Sequence, residues 1–403
     1  MDRINDVIGA AALREKPTLE RLTAYRDPFR FQVHEEFKGL MLEALAHKAS
    51  DILVQPGEPV CAEVNGRMCA VSHRPLDENE VREILVWVAG RDTAWTDIIS
   101  GKSANPRYEV FDPKERDERG DRVRYRYRIN ASAIAFHGQT SCQIVMRSIP
   151  RDPPNYSDLG LTEDLVRKAC PRDGIVYVAG RTGSGKTTTF AAFIRYILEN
   201  DTPIKGNFIT HEEPIEFDFS SVKSAHSIIV QSQIPIHFAS FQEANREAMR
   251  RKPGGIMYGE LRDEESIRAA VEASQTGHPV FATVHANDVA AVIRRLISRF
   301  PQEERATAIF DIIDSVRLVM AQTLVPGTNG RRVAAREWLE FDDDIRDELL
   351  DLSDMGRVTS AIREMLQNRG WSFEKEADRL LEAGLITEEV AATIRRGRSK
   401  HTA

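Results

Sequence analysis

Cysteine is scarce in this chain: Cys61, Cys69, Cys142 and Cys170 are the only four among 403 residues, with neither CxxC spacing nor a histidine partner pattern. That excludes a disulfide framework and a zinc-finger set, and fits the scattered thiols of a reduced cytoplasmic protein. Long hydrophobic runs are missing too. No stretch approaches the roughly 20 apolar residues that a membrane helix needs, and the opening MDRINDVIGAAALREK carries acids too early for a secretory signal. The chain is therefore expected to be cytoplasmic, docking at most on a membrane complex. An excess of positive charge is also absent. Lys and Arg total 55 against 62 Asp and Glu, a net charge of −7, which argues against a protein dedicated to coating nucleic acid. There is no internal repeat and no low-complexity segment.

What is present divides into regions. After an N-terminal tail (1–24), residues 25–148 read as an α+β domain. HEEFKGLMLEALAHKAS places Phe37, Leu40, Met41, Ala44 and Leu45 on one helical face. DILVQPGEPVCAEVNGRMCAV reads as short strands joined by Pro/Gly and Asn-Gly turns. RYEVF and RVRYRYRINAS flank the charged turn DPKERDERGD as a long hairpin. A Pro-rich linker (149–160) follows. In 161–342 short apolar strands (174–179, 207–210, 255–259, 280–284) alternate with helical segments, as in a mostly parallel sheet wrapped by helices. Residues 343–403 are charged and helical, with Gly370, Gly384 and Gly397 as stops. The expected fold class is α/β.

The strongest signal is GIVYVAGRTGSGKTTTF, which satisfies GxxxxGK[ST] between an apolar strand and a helix. Loop residues Gly180, Arg181, Thr182, Gly183, Ser184, Gly185, Lys186, Thr187 and Thr188 are the expected nucleotide-binding set. The glycines let backbone N–H groups wrap phosphate oxygens, and the helix N-terminus adds partial positive charge. Lys186 meets the outer phosphates of ATP and Thr187 offers a hydroxyl to Mg2+.

Acids stand at two strand ends, Glu212, Glu213 and Glu216 in ITHEEPIEF and Glu260 in GGIMYGELRD. In an open α/β sheet such positions face the ligand, where a carboxylate can orient water or hold Mg2+. HEEPI lacks the second histidine of a zinc protease signature. His278 and His285 bracket another apolar strand in ASQTGHPVFATVHAND. A shared metal ion, contact with a terminal phosphate or acid, and simple packing are all open readings for them. In RVRYRYRIN, Arg122, Arg124, Arg126 and Arg128 alternate with apolar residues. That stripe fits a charged solvated edge, nucleic-acid binding, or arginines reaching a nucleotide on a neighbouring subunit.

Together these motifs resemble the secretion superfamily of PilT-like traffic ATPases across about residues 35–340. GRTGSGKTT matches its Walker A loop. ITHEEPIEF resembles its aspartate box, with Glu213 replacing the aspartate. GGIMYGELRD resembles its atypical Walker B box and ASQTGHPVFATVHAND its histidine box. Upstream, SDILVQPG and RYRINASAIAFHGQTSCQIVMRSIP resemble its PAS-like domain. The resemblance implies a PAS-like α+β N-terminal domain, a P-loop (RecA-like) motor domain and a small helical C-terminal appendage. Within the superfamily, HEEPIEF, QTLVP and the tail after REWLEF are similar to the DotB and TraJ ATPases of type IVB secretion and conjugal transfer.

It further implies a homohexamer that binds ATP between its domains and works with inner-membrane components and other ATPases of a secretion or transfer apparatus, without direct nucleic-acid binding. Glu260 would position the water, with Glu212 and Glu213 near Mg2+, His285 and His278 near the nucleotide, and Arg126, Arg128 and Arg147 reaching it. A pilus retraction motor, a nucleotide-switched scaffold and a DNA translocase are the alternatives. Gly254–Gly255 stand where related motors carry an acid before the strand; a local backbone adjustment is expected there, with Lys252 in the acid's place.

Overall fold

The computed structural model describes residues 19–22, 31, 36–64, 66–116, 120, 122–149, 152–352 and 355–396. The expected N-terminal tail therefore lies almost wholly outside the described residues, as does the expected stop at Gly397. The chain forms two compact units, Met1–Arg151 and Asp152–Ala403.

The first unit contains β1 (Glu20–Arg21), α1 (Lys38–Ala46), β2 (Asp51–Val54), β3 (Cys61–Val64), β4 (Arg67–Ala70), α2 (Glu78–Ala89), α3 (Ala94–Ile99), β5 (Arg107–Arg116), β6 (Arg122–Phe136) and β7 (Gln139–Ile149). Its sheet runs β1-β4-β3-β2-β7-β6-β5. The apolar face of α1 is buried through Phe37, Leu40, Met41 and Ala44, and packs with Ile52, Tyr127 and Ile129 of the sheet. In β6 the alternation works as a strand requires: Val123, Tyr127 and Ile129 are buried while Arg122 and Arg128 are exposed. β5 extends well past RYEVF into the charged segment.

The second unit contains α4 (Glu163–Lys168), β8 (Gly174–Ala179), α5 (Lys186–Glu199), β9 (Gly206–Glu212), β10 (Ser227–Gln233), α6 (Phe241–Met249), β11 (Pro253–Tyr258), α7 (Glu264–Gln275), β12 (Pro279–Val284), α8 (Val289–Ile297), α9 (Arg305–Ser315), β13 (Val316–Pro326), β14 (Arg332–Glu340), α10 (Asp343–Leu350), α11 (Met355–Asn368), α12 (Phe373–Glu382) and α13 (Glu388–Arg396). The sheet order is β10-β9-β11-β12-β8-β13-β14. Every pairing is parallel except β13–β14. β8 and β12 are buried at every residue, as central strands covered on both faces must be. The four strands expected from sequence are present; β10, β13 and β14 complete the sheet.

The C-terminal helices do not form a separate core. Leu349, Val358, Ile362, Leu366 and Leu380 belong to the same buried cluster as Ile175 and Tyr177. Backbone bonds between Trp338 and Trp371 (2.8 and 2.9 Å) tie the start of α12 to β14. Gly370 lies in this join, where a Cβ would stand 2.8 Å from the Trp338 carbonyl.

Candidate active site

The phosphate loop joins β8 to α5. Gly183 and Gly185 take φ of 76° and 85°, backbone conformations that L side chains rarely adopt. At Gly180 the constraint is contact: a Cβ would stand 2.3 Å from Ser184 Oγ and 2.4 Å from the Gln322 carbonyl oxygen. Lys186 Nζ donates to the loop's own carbonyls at Gly180 (2.9 Å) and Arg181 (3.2 Å), which holds the ammonium over the loop. Burial lowers the Lys186 pKa, opposed by the charges of Glu260 and Glu216. Thr187 and Thr188 occupy the first turn of α5, half-buried. The Ser184 hydroxyl is buried without a hydrogen-bond partner. A glycine-lined cradle, an ammonium and an unpartnered hydroxyl together fit a polyphosphate.

Strand ends bring the acids alongside. β9 and β11 are adjacent and parallel, so Glu212 and Glu260 emerge at the same edge of the sheet. Gly259 permits the approach, because a Cβ there would stand 3.2 Å from Glu212 Cα. Both oxygens of Glu260 are engaged. His285 Nε2 lies 2.9 Å from Oε1, and Arg262 Nε donates to Oε2 at 2.8 Å. A carboxylate accepts only, so the imidazole proton sits on Nε2. The His285 pKa is lowered by burial and by Lys186, against the raising effect of Glu260. Arg262 also reaches Glu213 Oε2 at 3.2 Å and so links the two acidic strand ends.

The other acids differ in role. Glu212 is buried, its Oε1 accepting from Thr210 Oγ1 (2.6 Å) and Gln231 Nε2 (3.1 Å). Glu213 is half exposed. Glu216, one of the three acids in ITHEEPIEF, raises the Lys186 pKa through its charge, as Glu260 does. Asp263, the last residue of GGIMYGELRD, caps α7 by accepting from the Ser266 N–H at 2.9 Å.

His278 and His285 are separated by the full length of β12. Pro279 pairs with Gly174 and Val284 with Ala179, so His278 lies at the strand end away from the loop of its own chain, roughly 20 Å from His285. A shared metal ion is ruled out on that distance; His285 alone joins the acids. Arg126, Arg128 and Arg147 lie on the first unit's sheet. Arg126 pairs with Glu109 (2.9 Å), Arg147 with Asp51 (2.8 Å), and Arg128 stands opposite Arg147 in the β6–β7 register.

Beside the loop a cleft of about 610 Å³ is lined by Gly180, Arg181, Thr182, His285, Arg294 and Arg295 among others, none of them acidic. Its size and charge suit a small polyanion. Arg294 and Arg295 on α8 escaped the sequence reading, because adjacent arginines on a helix are the usual sign of a solvated face. Gln322, quoted only as the first residue of QTLVP, had no role at the loop assigned from sequence. It is a buried amide whose side chain donates to the Ser184 carbonyl at 2.6 Å.

Comparison with known proteins agrees with this geometry. The family described as "Type II/IV secretion system protein" matches residues 122–398. The "Type IV pilus retractation ATPase PilT" of Pseudomonas aeruginosa is 33% identical over 289 residues, covering 72% of this chain and 78% of that one. Among solved structures, the DotB ATPase of Yersinia pseudotuberculosis is 51% identical with a TM-score of 0.83, over 94% of this chain and 99% of that one. The DotB ATPase of Legionella pneumophila is 38% identical with a TM-score of 0.80, over 94% and 100%. The chain belongs to the type II/IV secretion system protein family and is an ATP hydrolase of its PilT-like branch, similar to the DotB ATPases.

Proposed function

We propose that this ATPase assembles as a homohexameric ring and powers a type IVB secretion or conjugal transfer apparatus from the cytoplasmic face of the inner membrane. The observation that carries the reading is the 51% identity to a DotB ATPase over 94% of this chain and 99% of that one. A second reading, a pilus retraction motor, is favoured by the 33% identity to PilT. The described residues contain no helix long and apolar enough to cross a membrane, so attachment through partner proteins fits either apparatus.

In this reading the loop from Gly180 to Thr188 holds the phosphates of ATP. Thr187 and carboxylates at the β9 end, Glu212 and Glu213 with Glu216 added, would hold Mg2+, which neutralises developing phosphate charge when bound. Lys186 meets the outer phosphates. Glu260 accepts hydrogen bonds from the attacking water and aims it, its carboxylate fixed by His285 and Arg262. Arg126, Arg128 and Arg147 would complete the site in trans from a neighbouring copy, where such a group supplies on the order of 10³ to 10⁵ in rate. His278 has no assigned contact with the nucleotide of its own chain.

The test is hydrolysis per chain against protein concentration, with mass measured in parallel. Activity that rises as a six-copy species forms supports the ring. A monomer with full activity overturns it and favours a nucleotide-switched scaffold.

A further inference from the structure

The phosphate loop is gripped from behind by a residue that belongs to none of the nucleotide motifs. Gln322, on β13, is 4% exposed. Its Nε2 donates to the Ser184 carbonyl at 2.6 Å, while Oε1 accepts from Thr189 Oγ1 of α5 at 2.8 Å and from Arg336 Nε of β14 at 2.7 Å. The donors fix which way the amide points, because two donors need the oxygen and a carbonyl needs the NH2. The loop glycines match this arrangement. A Cβ on Gly180 would stand 2.4 Å from the Gln322 carbonyl oxygen, and one on Gly185 2.9 Å from its Nε2.

Arg336 connects that grip to two distant segments. Its Nη1 donates to the Leu159 carbonyl at 2.8 Å, ahead of α4. The guanidinium is 4% exposed and no carboxylate lies within ion-pair distance among the described residues. Burial pushes its pKa down to about 10, with the charge of Glu376 on α12 opposing the shift and that of Arg379, paired with Glu376, adding to it. Glu376 is itself buried, its oxygens taken by Arg379 (2.8 Å each) and Trp371 Nε1 (3.0 Å). A buried cation held mainly by dipoles is sensitive to the loss of any one of them.

We propose that Gln322 and Arg336 are positioning residues that hold the phosphate loop in its nucleotide-binding form. The inference rests on Gly180–Thr188 being the nucleotide site.

The experiment measures binding of a fluorescent ATP analogue, kcat, KM and unfolding temperature on the full chain for Lys186→Ala, Gln322→Met and Arg336→Lys. Gln322→Met keeps the volume and removes all three side-chain bonds, the one to the loop at Ser184 included. It should weaken nucleotide binding and raise KM about tenfold, as the loss of one buried bond does. Arg336→Lys should fail to restore wild-type KM, since an ammonium cannot reproduce the guanidinium fork. The proposal is overturned if Gln322→Met lowers only the unfolding temperature, with KM and affinity unchanged, while Lys186→Ala abolishes binding. If Lys186→Ala binds nucleotide normally, the site assignment itself falls.

Discussion

His285 Nε2 lies 2.9 Å from Glu260 Oε1, and burial with nearby Lys186 keeps this imidazole below its ordinary pKa. The ring is therefore neutral at neutral pH and donates one fixed hydrogen bond to the acid beside it. As pH falls through the depressed pKa, a second positive charge appears next to Lys186 and turnover falls. The acid limb of kcat should lie below pH about 6.5, the ordinary histidine value, and should vanish in His285→Gln. A pH–rate profile for both proteins checks this, and an unchanged limb in His285→Gln assigns it to another group.

His211 gives a separate acid sensitivity, this one in stability. It is fully buried on β9, packed against Tyr258 and Phe238, and neither ring nitrogen has a hydrogen-bond partner. Burial pushes its pKa down to about 4. The unfolded chain thus takes up the proton first, near pH 6.5. Stability is complete above that pH and declines as pH falls toward about 4, by about 3 kcal/mol in all. Urea unfolding between pH 4 and 7 should show the decline in the parent protein and a flatter profile in His211→Phe. Identical slopes would place the lost protons elsewhere.

Gly254 marks a bulge. The β11–β9 register shifts between Pro253 and Gly255, and a Cβ on Gly254 would stand 1.9 Å from the Lys205 carbonyl oxygen. Gly254→Ala should destabilise the chain by about 1–3 kcal/mol, as overpacking does. Thermal unfolding measures this, and an unchanged midpoint would mean the bulge is free to relax.

The arginines on the first unit bear on the ring. If Arg128 acts in trans, adding Arg128→Ala protein to wild type should depress hydrolysis more than dilution alone. A strictly proportional loss would restrict its effect to its own chain.

Much of this was legible from sequence because the chemistry and the fold share the same residues. GRTGSGKTT announces strand, loop and helix at once, and the alternation in RVRYRYRIN fixes which side of β6 is buried. GGIMYGELRD was legible only in part. Its glycines could be read as a backbone adjustment, but the close approach to Lys205 that requires it lies about 50 residues away in the chain. Asp263, the last residue of that stretch, had no role assigned from sequence and serves as a helix cap. Gln322 and Arg336 stood out only as the first residues of QTLVP and REWLEF, and nothing in those stretches pointed to the loop. Only the pairing of β13 with β8 and β14 brings them behind the loop. His278 and His285 looked alike in one motif, and strand direction separates them.

The account turns on Glu260 as the residue that positions the attacking water. The direct measurement is single-turnover hydrolysis by Glu260→Gln, with affinity for ATP measured on the same preparation. Retained affinity with the rate reduced by roughly 10² or more is the predicted result, as loss of a positioned base requires. A rate within about threefold of wild type would contradict the account and move the role to Glu212, Glu213 or Glu216.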